Sequence, residues 1–187
     1  MRRLFALSIL ALVGLFLVPG TAPAAKPTIG IGGFGGLSIP IVQDDVKSGS
    51  MFGVRVPITL MSMISVEPFF ASSSLGDGEQ EIGGITYTRD GFDNKTFGVN
   101  AFLGSLKGNP GFRIYPYVGI ASAKLTRAGS EDIKKTAYNF GMGLGVSPAA
   151  SFSVHLRGEL DMVVIDDVSR KFGNATLGVS YDLWPRP

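Results

Sequence analysis

The sequence predicts an all-β protein, an eight-stranded antiparallel up-and-down transmembrane β-barrel, and three observations carry that prediction. The first is the run Phe152 to Val164, FSVHLRGELDMVV, in which Phe152, Val154, Leu156, Leu160 and Met162 share one face. Ser153, His155, Arg157, Glu159 and Asp161 share the other. A period of two marks a strand whose faces meet different surroundings, and a row of ionisable groups flanked by glycine-rich segments of matching parity suits an inward face in a narrow lumen. The second is composition. The 187 residues are 45% hydrophobic and 17% charged, below the roughly 25% charged of ordinary soluble domains. Yet no segment after the first twenty residues is long and apolar enough for a spanning helix, which points to strands as the membrane-crossing elements. The third is the alternation of shorter and longer connections, as in a barrel with tight periplasmic turns and longer outer loops.

The chain opens with Arg2 and Arg3, an apolar run from Leu4 to Val18, and the small-residue stretch Ala22-Pro23-Ala24-Ala25. These are the charged, apolar and cleavage parts of a secretory signal peptide, so residues 1–25 are expected to be removed and 26–187 to form the barrel domain. The first strand, Thr28 to Ile41, sets Ile29, Ile31, Leu37, Ile39 and Ile41 against Gly30, Gly32, Gly36 and Ser38. After a polar loop from Gln43 to Ser48, the second sets Phe52, Val54, Val56, Ile58 and Leu60 against Gly53, Arg55, Pro57 and Thr59. In the third, Ile64, Val66 and Phe70 alternate with Ser65, Glu67 and Ala71. Asp77 to Asp93 then reads as a long polar loop, with Ile85 to Thr88 extending a hairpin beyond the membrane.

Phe97, Val99, Ala101 and Leu103 define the fourth strand, and a turn through Lys107-Gly108-Asn109-Pro110-Gly111 follows. Ile114, Val118 and Ile120 mark the fifth strand, opposite Tyr117, Gly119 and Ala121. A charged loop from Arg127 to Lys135 leads to the sixth, where Tyr138, Phe140, Met142, Leu144 and Val146 alternate with Asn139, Gly141, Gly143 and Gly145. Ile165 to Lys171 connects the seventh to the last, with Leu177, Val179, Tyr181 and Leu183 against Thr176, Gly178, Ser180 and Asp182.

An eight-stranded interior has room for side chains and little else, so a plugged core is expected. The polar lumen set is Arg55, Glu67, His155, Arg157, Glu159, Asp161 and Asp182. Pairing through the Ser147 to Ser151 turn sets Gly141 and Gly143 beside Arg157 and Glu159, and a register centred near Val168 brings Gly178 or Ser180 to Arg157. Arg55 and Glu67 face each other as a candidate ion pair. Phe52, Phe70, Phe97 and Tyr138 near the loop ends, with Phe112, Phe152, Tyr181 and Trp184 near the turn ends, predict two interfacial girdles. Pro40, Pro57, Pro68 and Pro116 each remove a ladder donor, and bulges or strand ends are expected there.

Several motifs are weak. Gly30-Ile31-Gly32-Gly33-Phe34-Gly35 has dinucleotide-binding spacing but lacks a preceding strand and a following helix. One histidine and no cysteine leave no His-rich or thiolate metal site. Ser153, His155 and Asp182 could form a hydrolase-like triad, but a hydrogen-bonded lumen network is the plainer reading. The acids Asp77, Glu79, Glu81, Asp90 and Asp93 lack calcium-loop spacing. A net charge of +2 makes no case for a nucleic-acid partner, and no cofactor is expected.

The segments IYPYVGIASA (Ile114 to Ala123), YNFGMGLGV (Tyr138 to Val146), VHLRGELD and ATLGVSYDL resemble the porin-like family of small outer-membrane β-barrels, the group of the OmpA membrane domain and the adhesion and invasion barrels. The resemblance covers Thr28 to Trp184. It implies outer-membrane lipid and the barrel-insertion machinery as partners, the latter reading a final strand of alternating apolar residues with a terminal aromatic. Ala175, Leu177, Val179, Tyr181 and Leu183 match, whereas Trp184 is off-phase and Pro185-Arg186-Pro187 follows it. Lipid A deacylases of related shape resemble a His-x-Ser pair, and here Arg157 stands at the serine position. The expected function is that of a non-enzymatic outer-membrane protein of a Gram-negative-type bacterium, serving envelope integrity, surface interaction through the 77–93 loop, or minor solute passage. A soluble lipocalin-like barrel is the alternative; it would line its cavity with the Leu, Ile and Phe set and expose Arg157, Glu159 and Asp161. A lipid hydrolase is the third.

Overall fold

The computed structural model describes residues 27–41, 46–61, 64–103, 112–165 and 168–184; the proposed signal peptide and the Lys107 to Gly111 turn lie outside them. Ten strands follow one another: β1 (Thr28–Ile41), β2 (Val46–Arg55), β3 (Ile58–Met61), β4 (Ile64–Ile82), β5 (Ile85–Arg89), β6 (Phe92–Leu103), β7 (Phe112–Thr126), β8 (Ile133–Ala149), β9 (Phe152–Ile165) and β10 (Val168–Trp184). Each wall pairs antiparallel with its sequence neighbour, β2 and β3 together forming one wall. β10 closes on β1 from Ile29↔Trp184 to Ile41↔Lys171. The result is an up-and-down ring of eight strands, and closure leaves no free edge in the wall.

The alternation read from the sequence is the alternation of the wall. Leu156 is 52% exposed and Leu160 40%, whereas Arg157 between them is 6% exposed. The outward residues named for β1, β6, β8 and β10 are exposed with them. A soluble carrier would invert this pattern, so the lipocalin-like alternative is set aside. The predicted girdle aromatics lie on the outer face, Phe52, Phe97, Phe112 and Trp184 all well exposed and Phe152 half-buried. Trp184 is accommodated by a bulge: Ile29 pairs with Trp184 and Gly30 with Asp182, so Leu183 is the additional residue and both terminal side chains are exposed.

Several boundaries differ from expectation because polar strands continue beyond the membrane, where sequence composition resembles that of loops. Residues 77–93 are mostly a ribbon rather than a loop. β4 runs on to Ile82 and pairs with β5 from Gly78↔Arg89 to Ile82↔Ile85. Gly83 and Gly84, at φ 61° and 80°, supply the two left-handed positions of a tight hairpin. β2 begins at Val46, inside the expected Gln43 to Ser48 loop, with a register shift between Lys47 and Gly49. Ile133 to Lys135 belong to β8 instead of the preceding loop.

The Ile165 to Lys171 connector contracts, since Ile165 already pairs with Val168. That shift of register places Thr176, not Gly178 or Ser180, beside Arg157; Gly178 stands opposite His155 and Ser180 opposite Ser153. The prolines divide. Pro57 falls in the break between β2 and β3, and Pro40 lies one residue from the end of β1. Pro68 and Pro116 sit within strands whose registers to β6 and β8 are unbroken, Pro68↔Val99 and Pro116↔Met142. A strand residue directs its single N–H toward one neighbour, so a proline deletes one ladder bond without requiring a bulge. Val56 N–H still donates to the Pro68 carbonyl at 2.9 Å.

The glycine parity of β8 yields a paired prediction. A Cβ on Gly143 would fall within the Tyr115 ring, whereas one on Gly158 meets nothing. Gly143→Val should lower the urea midpoint of the refolded barrel by overpacking worth about 1–3 kcal/mol, and Gly158→Ala should leave it unchanged or raised; equal effects would show that the ring is not held against β8.

Candidate functional site

The lumen is the candidate site, and the strand registers build it. On β7, Tyr115 and Tyr117 point inward at a spacing of two, and both are 3% exposed. On β8 their direct partners are Gly143 and Gly141, where any Cβ would collide with those rings. On β9 the partners of the same glycines are Arg157 and Glu159, as expected from the turn. Removing two side chains on β8 therefore allows two tyrosines from one side and two charges from the other to meet in a narrow interior.

Arg157 is the hub. Its Nη1 donates to Glu67 Oε1 at 2.6 Å and Nη2 to Glu67 Oε2 at 2.9 Å, while Nε donates to Tyr115 Oη at 3.1 Å. This two-pronged fit matches the planar fork of the guanidinium to a carboxylate. The guanidinium carbon also lies 4.9 Å from the Phe102 ring centroid, 5.4 Å from Tyr117 and 5.5 Å from Tyr115. Cation–π attraction and hydrogen bonding thus replace the hydration that burial removes.

Arg55, expected to be the partner of Glu67, takes the lesser share: its Nε lies 3.9 Å from Glu67 Oε2. Its guanidinium lies 5.4 Å from the Phe34 ring, and Gly178 leaves the space its Nη2 occupies. A cavity of about 20 Å³ bordered by Arg55, Glu67, Tyr117 and Arg157 has room for a single water.

The network continues toward the turn end. Tyr115 Oη is 2.8 Å from His155 Nδ1, and His155 Nε2 is 3.0 Å from Ser180 Oγ. Tyr115 Oη thus accepts from Arg157 and shares a proton with His155 Nδ1, the donor there being set by the imidazole tautomer. Whichever ring nitrogen carries the proton, the other accepts, so both are satisfied by Tyr115 and Ser180. Ser153 hydrogen-bonds Ser147 at 2.8 Å, and Ser147 accepts from Arg113 Nη2 at 2.7 Å. The Ser153, His155 and Asp182 grouping is therefore not assembled as a relay: the serine on His155 is Ser180, and Asp182 is half-buried beside Gly30.

Toward the loop end, Asn174 Nδ2 bridges Asp161 Oδ2 at 2.7 Å and Glu159 Oε1 at 3.3 Å. Beyond it lies a feature that the sequence reading missed. Val46, Met51, Phe69, Leu75, Phe92, Leu125, Val163 and Phe172 form an apolar layer inside the barrel, with Phe92 and Phe172 edge to face at 5.9 Å. Among the described residues no cluster of three or more acidic, histidine or cysteine side chains is placed to hold a metal.

Of the predicted set, Arg55, Glu67, His155 and Arg157 come together in one connected layer. Glu159 and Asp161 form a second group, and Asp182 stands near the turn end. Tyr115, Phe102 and Asn174 were not anticipated as members, and Ser180, expected beside Arg157, is on His155. The inward parity of Tyr115 and Tyr117 against three glycines was the available signal for the tyrosines.

The model of the family described as "outer membrane protein beta-barrel domain" matches residues 8–182, and the chain belongs to that family. It is an integral outer-membrane β-barrel protein. Among solved structures it is similar to the N-terminal β-barrel domain of Pseudomonas aeruginosa OprF, at 14% identity and a TM-score of 0.60, covering 86% of this chain and 99% of that one. It is also similar to Neisserial surface protein A (NspA), at 8% identity and 0.59, covering 86% and 99%. Ail, the attachment invasion locus protein of Yersinia pestis, solved with the heparin analogue sucrose octasulfate, is similar at 19% identity and 0.52, covering 84% and 97%. No curated protein sequence matches the chain.

The hub makes a direct prediction. Arg157→Leu strands Glu67, and Glu67→Leu strands Arg157; each should cost about 3–5 kcal/mol in the unfolding of the refolded barrel. The double variant Glu67→Leu/Arg157→Leu should recover part of that loss. An unchanged midpoint for Arg157→Leu would place the pair outside the cooperative core.

Proposed function

We propose that this protein is a sealed, non-enzymatic barrel that serves envelope integrity and presents an extracellular ribbon for surface interaction. The observation that carries the reading is the closed layer of Arg157, Glu67, Tyr115, Tyr117 and Phe102 across the lumen, backed by the apolar layer above it. Passage of a solute would require both layers to part, so conduction is at most minor. The Ser180 and His155 pair does not favour hydrolysis, because both side chains are buried.

The longer connections define the outer end, following the general asymmetry of such barrels. There β4 and β5 extend beyond the wall, and every residue of β5 is exposed, including Ile85 at 59% and Tyr87 at 50%. Those two share one face of the ribbon, while Glu79 and Glu81, opposite Thr88 and Thr86, share the other. Lys47 on β2 holds the ribbon's base through Glu79 at 2.9 Å, a pair that lowers the Glu79 carboxyl and raises the Lys47 ammonium relative to their ordinary ranges. An apolar pair held clear of the membrane is suited to a protein partner. Residues 1–25 are taken as the export signal, and the final strand as the segment read by the insertion machinery, in keeping with the family.

Single-barrel recordings in planar bilayers test the seal. The wild-type barrel should be silent at ordinary holding potentials, with a heat-dependent gel shift confirming that it is folded; stepwise conductance in the folded protein would replace the sealed scaffold with a pore.

A further inference from the structure

The outer wall is apolar almost throughout, and one interruption stands out. Lys95 on β6 pairs directly with Lys124 on β7, and Lys124 pairs directly with Lys134 on β8. All three are exposed and have the parity of the outward residues Phe97, Ile120 and Tyr138. Like charges opposite one another on adjacent strands repel, so three in a row is an arrangement a wall strand does not gain from by itself.

The row's depth is fixed by the strand. From Phe112 at the turn end to Ser122 is ten residue steps along β7, about 25 Å along the barrel axis at the usual rise and tilt. That equals the apolar band of an outer-membrane barrel. Lys124, two residues further, therefore stands at the level of the outer-leaflet headgroups. Just below it, Ser122 and Thr136 face each other as an outward hydroxyl pair. The row ends at β8: β9 presents Val164, one residue beyond the Ala137↔Val163 pair, and β1 presents Ile39 and Ile41 at its outer end, with Lys171 of β10 between those two strands.

Nearby acids offset part of the patch and leave it positive. Asp132 Oδ2 lies 2.6 Å from Lys124 Nζ, and that hydrogen bond, with one from Thr126, holds the Asp132 carboxyl below its ordinary range. Asp93, exposed on the same face of β6 two residues from Lys95, accepts from Ser74 Oγ at 2.7 Å and keeps its charge, so three ammonium groups face two carboxylates. Lys95 adds a weaker attraction to Asp132, Lys134 makes no ion pair among the described residues, and the two flank the paired Lys124.

We propose that the outward faces of β6, β7 and β8 form a binding site for the phosphate groups of an outer-leaflet glycolipid, with Lys95 and Lys134 as the principal ligands and Ser122 and Thr136 as neutral donors. Ammonium-to-phosphate contacts are charge-assisted and need no preformed pocket. A lipid held in the adjoining leaflet also meets them at high local concentration. The site lies on the outside of the wall and is independent of whether the lumen conducts.

The probe is a fluorescent bis-phosphorylated lipid A titrated into the full barrel in a zwitterionic detergent. Lys95→Gln/Lys134→Gln should weaken binding about tenfold to thirtyfold, each lysine being worth about fivefold against an anionic surface. Removing both phosphates from the lipid should weaken wild-type binding equally. Lys47→Gln/Arg89→Gln, the same change of net charge placed at the ribbon and its base, should have no effect, and the gel shift should persist in both variants. Equal affinity for wild type and the row variant, equal loss in the ribbon variant, or displacement by inorganic phosphate at the lipid's own concentration would each overturn the proposal.

Discussion

The two-pronged contact between Arg157 and Glu67 is the constraint on which the rest of the barrel depends. Their walls, β9 and β4, lie on opposite sides of the ring, so the pair ties together strands that share no ladder. Ladder bonds fix each strand to its neighbours, but the cross-section of the ring is set by what spans it. A buried guanidinium and carboxylate are costly unless geometry and further donors compensate. Here the tyrosine hydroxyl and three aromatic faces supply that compensation. The interior of this protein is consequently specified by polar geometry on the turn side and by apolar packing on the loop side.

The glycines of β8 are the counterpart of that hub. In a strand of a soluble sheet, alternate glycines would weaken the element. Here Gly141 and Gly143 provide the volume into which Tyr117 and Tyr115 lie, and the tyrosines in turn wall off Arg157. Sequence, packing and closure are linked at this point: a side chain added to β8 would displace a ring, and a displaced ring would expose a charge. The same economy appears at Gly178, whose missing side chain accommodates Arg55.

Much of this was legible in the chain. Alternation identified the outward and inward sets for nearly every wall, because a period of two cannot be shifted by one residue without placing Arg157 in lipid. It also paired Gly143 with Arg157 through a short turn. What was not legible arose from three physical causes. Paired backbone outside the membrane can carry any polar sequence, so the β4–β5 ribbon read as a loop. A connector's length fixes register, so two residues in place of seven between β9 and β10 exchanged Gly178 for Thr176 as the neighbour of Arg157. Apolar residues of inward parity, such as Phe69 beside Phe70, were hidden among those assigned to lipid. Glu67 has a second partner for a related reason: proximity along a hairpin gave the Arg55 pair, which forms at 3.9 Å, while the stronger contact, with Arg157, crosses the lumen and was not foreseen.

The central claim concerns which face of β9 meets lipid, and the protein's single tryptophan permits a clean reading of it. Leu156→Trp in a Trp184→Phe background, reconstituted in vesicles whose lipids carry bromine in the acyl chains, reports the surroundings of that position by quenching. Strong quenching with blue-shifted emission is expected of an indole in the hydrocarbon. Emission untouched by the brominated chains, in a barrel that still shows its heat-dependent gel shift, would mean that Leu156 faces the interior and that the arrangement described for Arg157 and Glu67 is inverted.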